Sequence, residues 1–122
     1  MSDRVAGVAF VKVDGKQLVL GGKVSGSMQT KKREGVIGLS GPAGYKEEVV
    51  IPFIEVEVIK TPDLRIQDIL DVTNATVQAE GADGTLYVLA NAYHAGESPL
   101  ELGEGTVTFK FEGKRPTEVS PV

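Results

Sequence analysis

The chain has 122 residues, 41% hydrophobic and 25% charged, with a net charge of −4 and a pI near 5.0. That is enough for one domain around one core, and the charge is wrong in sign for tight binding to a nucleic-acid backbone, which needs clustered Lys and Arg. It has no cysteine, so disulfide frameworks and thiolate metal sites are excluded; no apolar run approaches the ~20 residues of a membrane-spanning helix.

The first residues, MSDRVAG, lack the apolar centre of a signal peptide, so synthesis in the cytoplasm is expected. Val8 to Val13 reads as a strand. Asp14-Gly15 is a hairpin turn, because both central residues tolerate positive φ. Gln17 to Leu20 returns, and Gly21-Gly22 breaks the run. From Lys23 to Thr30 the pattern alternates, with Val24, Gly26 and Met28 on one side and Ser25, Ser27 and Gln29 on the other. The stretch Lys31 to Glu47, KKREGVIGLSGPAGYKE, shows neither strand nor helix period and reads as a long extended loop. Loops beyond about 12–15 residues without structure of their own are uncommon in compact domains and are usually functional or disordered. Another copy of the same chain is the expected binding partner of this one.

Glu48 to Lys60 is the longest strand signal. Ile54, Val56 and Val58 face one way, and Phe53, Glu55, Glu57 and Ile59 the other. Pro52 cannot donate to a ladder and belongs at a strand start, an edge or a bulge. Thr61-Pro62-Asp63 predicts a helix start, with Thr61 as N-cap, and the helix ends near Asp71. Thr76 to Glu80 alternates again, and Ala82 to Thr85 is a second Asp-Gly turn. Leu86 to Ala92 is apolar on both faces and predicts a strand covered on both sides. Gly96 to Pro99 is loop. Val107, Phe109 and Phe111 point inward from the last strong strand, with Thr106, Thr108, Lys110 and Glu112 outward. Gly113 to Val122, with two prolines, is expected to fray. The reading is one mainly β domain spanning residues 1–122: an antiparallel sandwich or barrel with one short helix and a long extended loop.

Catalytic chemistry is thin. His94 is the only histidine and no partner at motif spacing would orient it as a general base. Gly35, Gly38, Gly41 and Gly44 recur every three residues, but no Gly-Lys-Ser/Thr follows, so they do not form a phosphate loop. Loop flexibility is their expected role. Glu55 and Glu57 share one strand face and read as a solvated pair. Lys31, Lys32 and Arg33, in an acidic chain, are expected to meet carboxylates of a partner subunit. No catalytic, cofactor or metal site is predicted.

The polar strand sides are more informative: Ser25/Ser27/Gln29, Glu55/Glu57, Thr76/Gln78/Glu80 and Thr106/Thr108/Lys110/Glu112. If these strands join one sheet, its wet face is broad and acidic, with Glu55, Glu57, Glu80, Lys110 and Glu112 summing to about −3. Such a face suits a pore through which DNA slides without sticking.

Taken in order, AGVAFVKVDGKQLVL, KKREGVIGLSGPAGYKE, IPFIEVEV, TPDLRIQDIL, ADGTLYVLANAYHAG and EGTVTFKFEG resemble the tail tube protein of Mu-like contractile-tailed bacteriophages, a fold related to the type VI secretion tube protein. The resemblance runs from Ala6 to Gly113. It implies hexameric rings stacked into a hollow virion tail tube that encloses a tape measure protein, is wrapped by a contractile sheath protein, and meets baseplate and tail terminator proteins. DNA would pass through the lumen without specific binding. On this reading Ser25, Ser27, Gln29, Glu55, Glu57, Thr76, Gln78 and Glu80 line the lumen. The segment holding Lys31, Lys32, Arg33, Glu34, Gly35, Gly38, Gly41, Gly44, Tyr45 and Lys46 is the intersubunit arm. A type VI-like secretion tube protein and a β-sandwich binding module are the alternative readings.

Overall fold

A computed structural model describes residues 7–121. Among them eleven strands and one short helix follow in order: β1 (Val8–Val13), β2 (Lys16–Leu18), β3 (Leu20–Ser27), β4 (Lys31–Gly38), β5 (Gly41–Val49), β6 (Phe53–Ile59), α1 (Ile66–Leu70), β7 (Ala75–Gly81), β8 (Leu86–His94), β9 (Leu100–Glu101), β10 (Thr106–Glu112) and β11 (Arg115–Val119). All pairing is antiparallel.

Nine strands join in one hydrogen-bonded sheet: seven follow the path β2-β1-β7-β8-β10-β6-β3, with β11 beside β8 and β9 beside β10. The path turns a corner at β8. Its first half pairs with β7 and β11, while only Tyr93 and His94 reach β10. The corner has a local cause. Ala90 and Asn91 fall where the β7–β8 register shifts, Asn91 adopts φ 53°, and its amide donates to Asn74 Oδ1 at 3.0 Å. A left-handed residue at a bulge bends its strand and raises the local twist. The result is two layers, a first sheet (β2-β1-β7-β8-β11) and a second (β3-β6-β10-β9), with their inner faces on one core.

Parity builds that core. Val11, Val13, Val77, Ala79 and Leu89 come from the first sheet, and Ile54, Val56, Val58, Val107, Phe109 and Phe111 from the second; all are buried. The alternations of β6, β7 and β10 hold residue for residue. Leu64 and Ile69 close the core from the α1 side. Among the described residues no buried side-chain polar atom lacks a hydrogen-bond partner. Asp14 and Gly15 both take positive φ, 50° and 84°, as the predicted turn requires.

Several sequence expectations are corrected. The segment 31–47 is a β-hairpin, β4–β5, and not a structureless loop. Glu48 and Val49 complete β5, so the strand read as Glu48–Lys60 is two strands parted by Val50 to Pro52, with Pro52 just before β6. Gly21-Gly22 does not end a strand. It is a bulge inside β3, where the register with β6 shifts, and the break comes at Val19. Thr61 does not cap α1, which begins at Ile66 after an uncapped Arg65. Instead Thr61 Oγ1 donates to Asp63 Oδ1 at 2.6 Å in a preceding turn, and this hydrogen bond holds the Asp63 carboxyl below its usual value. Among the described residues no layer covers the outer side of β8; its apolar outer residues are half-buried beside β7 and β11. The segment read as fraying contains β11, which pairs with β8 from Arg115↔Ala90 to Val119↔Leu86. Pro116 is tolerated because β11 is an edge strand.

Candidate functional site

The hairpin is the first candidate surface. It leaves the body where β3 ends and β6 begins, at the hydrogen bond from Val50 N to Thr30 O of 3.0 Å. At about 3.3 Å per residue, strands of this length project about 25 Å. Among the described residues β4 and β5 pair only with each other, and every residue of β4 is exposed. Its pairing is written in charge. Lys32 lies opposite Glu48, Arg33 opposite Glu47 and Glu34 opposite Lys46. Arg33 Nε donates to Glu47 Oε1 at 2.8 Å, and Glu34 lies between Lys32 and Lys46, 3.6 and 3.5 Å away. Exposed pairs of this kind contribute about 0–1 kcal/mol each, so they fix register more than they stabilise.

Two of the four glycines have a conformational task that flexibility does not describe. Gly41 exits the Leu39-Ser40 turn at φ 125°, and Gly44 takes φ 142° where the register shifts between Val36 and Ile37. That bulge, with Gly35 and Gly38 in the same stretch, breaks the two-residue period and hides both strands from the sequence. Apolar side chains crowd the outer half: Val36, Ile37, Leu39 and Tyr45 are all exposed, as are Val49 and Ile51 near the root. A lone two-stranded ribbon is marginal in water, and a cluster of uncovered apolar groups marks an interaction surface.

The second candidate is the outer face of the second sheet. Register places Ser25, Glu55 and Lys110 in one row, and Ser27, Phe53 and Glu112 in the next. Glu57 lies beside Thr108, its carboxylate over the Gly22 backbone. Lys110 lies 4.9 Å from the Phe53 ring centroid and 3.9 Å from Glu112. Tyr93 ends this face beside Glu112, and its hydroxyl pKa is raised by burial first and by the Glu112 carboxylate second. Glu55, Glu57 and Glu112 against Lys110 leave a net of about −2.

The eight residues read as one lining do not share one surface. Thr76, Gln78 and Glu80 lie on β7, in the first sheet, beside Lys12 and Phe10 of β1 and Leu86 and Val88 of β8. The core lies between the layers, so this outer face points away from Glu55 and Glu57. Gln29 falls beyond the end of β3; its side-chain amide donates to Lys31 O at 2.8 Å, tying down the hairpin root. Nothing in the sequence showed the corner in β8 that separates the faces.

His94 sits at that corner. Its ring meets Phe109 and Phe111 edge-on, with centroids 6.2 and 6.4 Å away, and Nε2 is 2.6 Å from Ser98 Oγ. Burial pushes its pKa below 6.5, so the fold favours neutral imidazole. The stability this contributes is complete above pH 6.5 and is lost as pH falls through the lower folded value, because the unfolded chain then binds the extra proton. Thermal melts should therefore fall on acidification below 6.5, and His94→Gln should flatten that part of the profile. An unchanged slope in the variant would show that other groups carry it. Among the described residues no group of His, Asp and Glu gathers to hold a metal ion, and no helix is long and apolar enough to cross a membrane.

A family model described as "Phage tail tube protein" matches residues 2–118. No curated protein matches the chain. Among solved structures, it is similar to the sheath/tube terminator of the extracellular contractile injection system PVC in its extended state, with TM-score 0.68 and 11% identity over 98% of both chains. It is also similar to the tube-terminating cap of the anti-feeding prophage AFP, with TM-score 0.62–0.63 for this and the next structure; the cap is 12% identical over 91% of this chain and 87% of that one. A chain of the PVC sheath-tube complex in the extended state is 11% identical with the same coverage, 91% and 87%. At these identities the likeness is one of fold.

Proposed function

The chain belongs to the phage tail tube protein family, and we propose that it is a structural subunit of a contractile tail tube, assembling as hexameric rings stacked into a hollow tube with the outer face of its second sheet on the lumen. The observation that carries this is the pairing of two features on one sheet: an acidic, hydroxyl-rich face and a projecting apolar hairpin rooted at the end of the same strands. β3 is the open edge of that sheet. An exposed edge strand templates pairing with another chain, so joining β3 to the neighbouring subunit's sheet would make the six faces one continuous inner wall. Ser25, Ser27, Glu55 and Glu57 then line the bore, with Thr108, Lys110 and Glu112. Thr76, Gln78 and Glu80 lie on the other layer and take no part in the lining. The hairpin is the arm that reaches an adjoining subunit. Its partners in the particle are further copies of the chain, the sheath around the tube, the tape measure inside it, and the baseplate and terminator at its ends. The role is architectural and uses no cofactor; DNA passes the acidic wall by repulsion from it.

Replacing Glu55 and Glu57 together by Lys tests the lining. Both side chains are half-exposed on strand faces away from the core, so tubes should still form. DNA release from particles built with the variant should slow, and more so at low salt, because a basic bore binds phosphate. Release at the unmodified rate would remove the electrostatic role, and a tube reconstruction with Thr76 and Gln78 on the bore would overturn the choice of face.

A further inference from the structure

This inference rests on the reading that the outer face of the second sheet lines the bore, and it concerns the lysine on that face. A wall that DNA must pass without sticking should offer no free ammonium, because each lysine that neutralises a phosphate releases counterions and strengthens binding. Lys110 stands in the middle of the face all the same. The register sets it directly across from Glu55, and Glu112 follows two residues later on the same side of β10. With Glu57 beside Thr108, three carboxylates crowd one small area, and like charges so placed repel. Lys110 offsets that repulsion. The sheet therefore needs the positive charge, while the passage of DNA requires that the charge be hidden.

The geometry meets both demands. Lys110 Nζ lies 4.9 Å from the centroid of the Phe53 ring, diagonally across on β6, and 3.9 Å from Glu112 Oε2. Glu112 is itself held, because the Tyr93 hydroxyl donates to its Oε1 at 3.4 Å. The ammonium is thus turned back onto the wall, against an aromatic face that attracts cations and a carboxylate. We propose that Phe53 and Glu112 clamp Lys110 flat against the wall, so that it cancels carboxylate repulsion within the sheet without presenting its ammonium to DNA in the bore. Phe53 is then a positioning residue, acting on DNA passage only through Lys110. This gives the ring a task that packing does not. Phe53 is half-buried on the outer face and outside the core cluster, where the interior makes no demand for an aromatic. The other layer carries a matching pair, Lys12 over the Phe10 ring at 4.8 Å, which on the same reading faces away from the bore and serves as a control.

Phe53→Ala changes no charge and frees the lysine. DNA release from particles built with this variant should slow about fivefold at low salt, and the deficit should shrink by about 3.5-fold per phosphate contact as salt rises from about 50 to 200 mM. A purely structural role for the ring would leave no such salt dependence. Adding Lys110→Met to Phe53→Ala should restore the unmodified rate, and Phe10→Ala should leave release unchanged. Should Phe53→Ala fail to fold, Glu112→Gln loosens the clamp from its other side and should slow release with the same salt dependence, again reversed by Lys110→Met. Unchanged release in either variant that folds, or slowing that persists with Lys110→Met, would overturn the clamp and leave the tube reading standing. A tube with Lys110 off the bore, or failure of the unmodified chain to form any tube, would overturn that reading, and the clamp with it.

Discussion

Replacing residues 35–45 with a two-residue Asn-Gly turn is expected to yield a folded subunit that forms no tubes. The body does not need the removed residues. None belongs to the core cluster, and the nine-stranded sheet is complete without β4 and β5. An Asn-Gly loop closes the shortened ribbon between Glu34 and Lys46, which already face each other, in the turn geometry that two-residue hairpins favour. What is lost is Ile37, Leu39 and Tyr45, the exposed apolar end. Circular dichroism and thermal melting should match the unmodified chain, while electron microscopy should show no tubes. Normal tubes from the shortened chain would show that the arm does not hold subunits together. A chain that fails to fold would show that the ribbon stabilises the body, contrary to its isolation in the fold.

The second large effect lies in the core. Phe109→Ala should destabilise the subunit by about 3–5 kcal/mol, the range for emptying a buried aromatic site. Phe109 is fully buried on β10, the strand that pairs along its whole length with β6. Its ring lies 6.2 Å from those of both Phe111 and His94, so the vacated space borders the corner where the two sheets join. A loss of that size is a large part of the ~5–15 kcal/mol that holds a domain of this kind and should lower the melting temperature by about 10–20 °C. Leu39→Ala, at a fully exposed position, should change subunit stability by less than about 0.5 kcal/mol. Denaturant melts of the two variants make the comparison. Equal effects would mean that the core does not lie where strand parity puts it.

Strand parity was the part of the fold most legible in the sequence. Ile54/Val56/Val58 against Glu55/Glu57, and Val107/Phe109/Phe111 against Thr108/Lys110/Glu112, are two-residue alternations that survive any tertiary context with one wet face. The Asp14-Gly15 turn was legible for a similar reason, because two positive φ values demand those residue types. Three things were hidden. The hairpin lacked a period because a bulge and its glycines interrupt it and because neither face is buried, so no apolar alternation was required. The start of α1 was misplaced because Thr61-Pro62-Asp63 serves equally as a capped helix entry or a turn, and the side-chain bond from Thr61 to Asp63 chose the turn. The split of the polar residues between two layers depends on Asn91, a single left-handed residue inside an apolar run. Thr76, Gln78 and Glu80 alternate as well as Glu55 and Glu57 do; only the corner decides that they face elsewhere.

Imaging the purified chain at high concentration by negative-stain electron microscopy tests the central claim most directly. The account predicts hollow tubes of uniform width, built of stacked rings with an open bore. Particles that stay single subunits at every concentration, with no tube in any particle assembled from the chain, would contradict it.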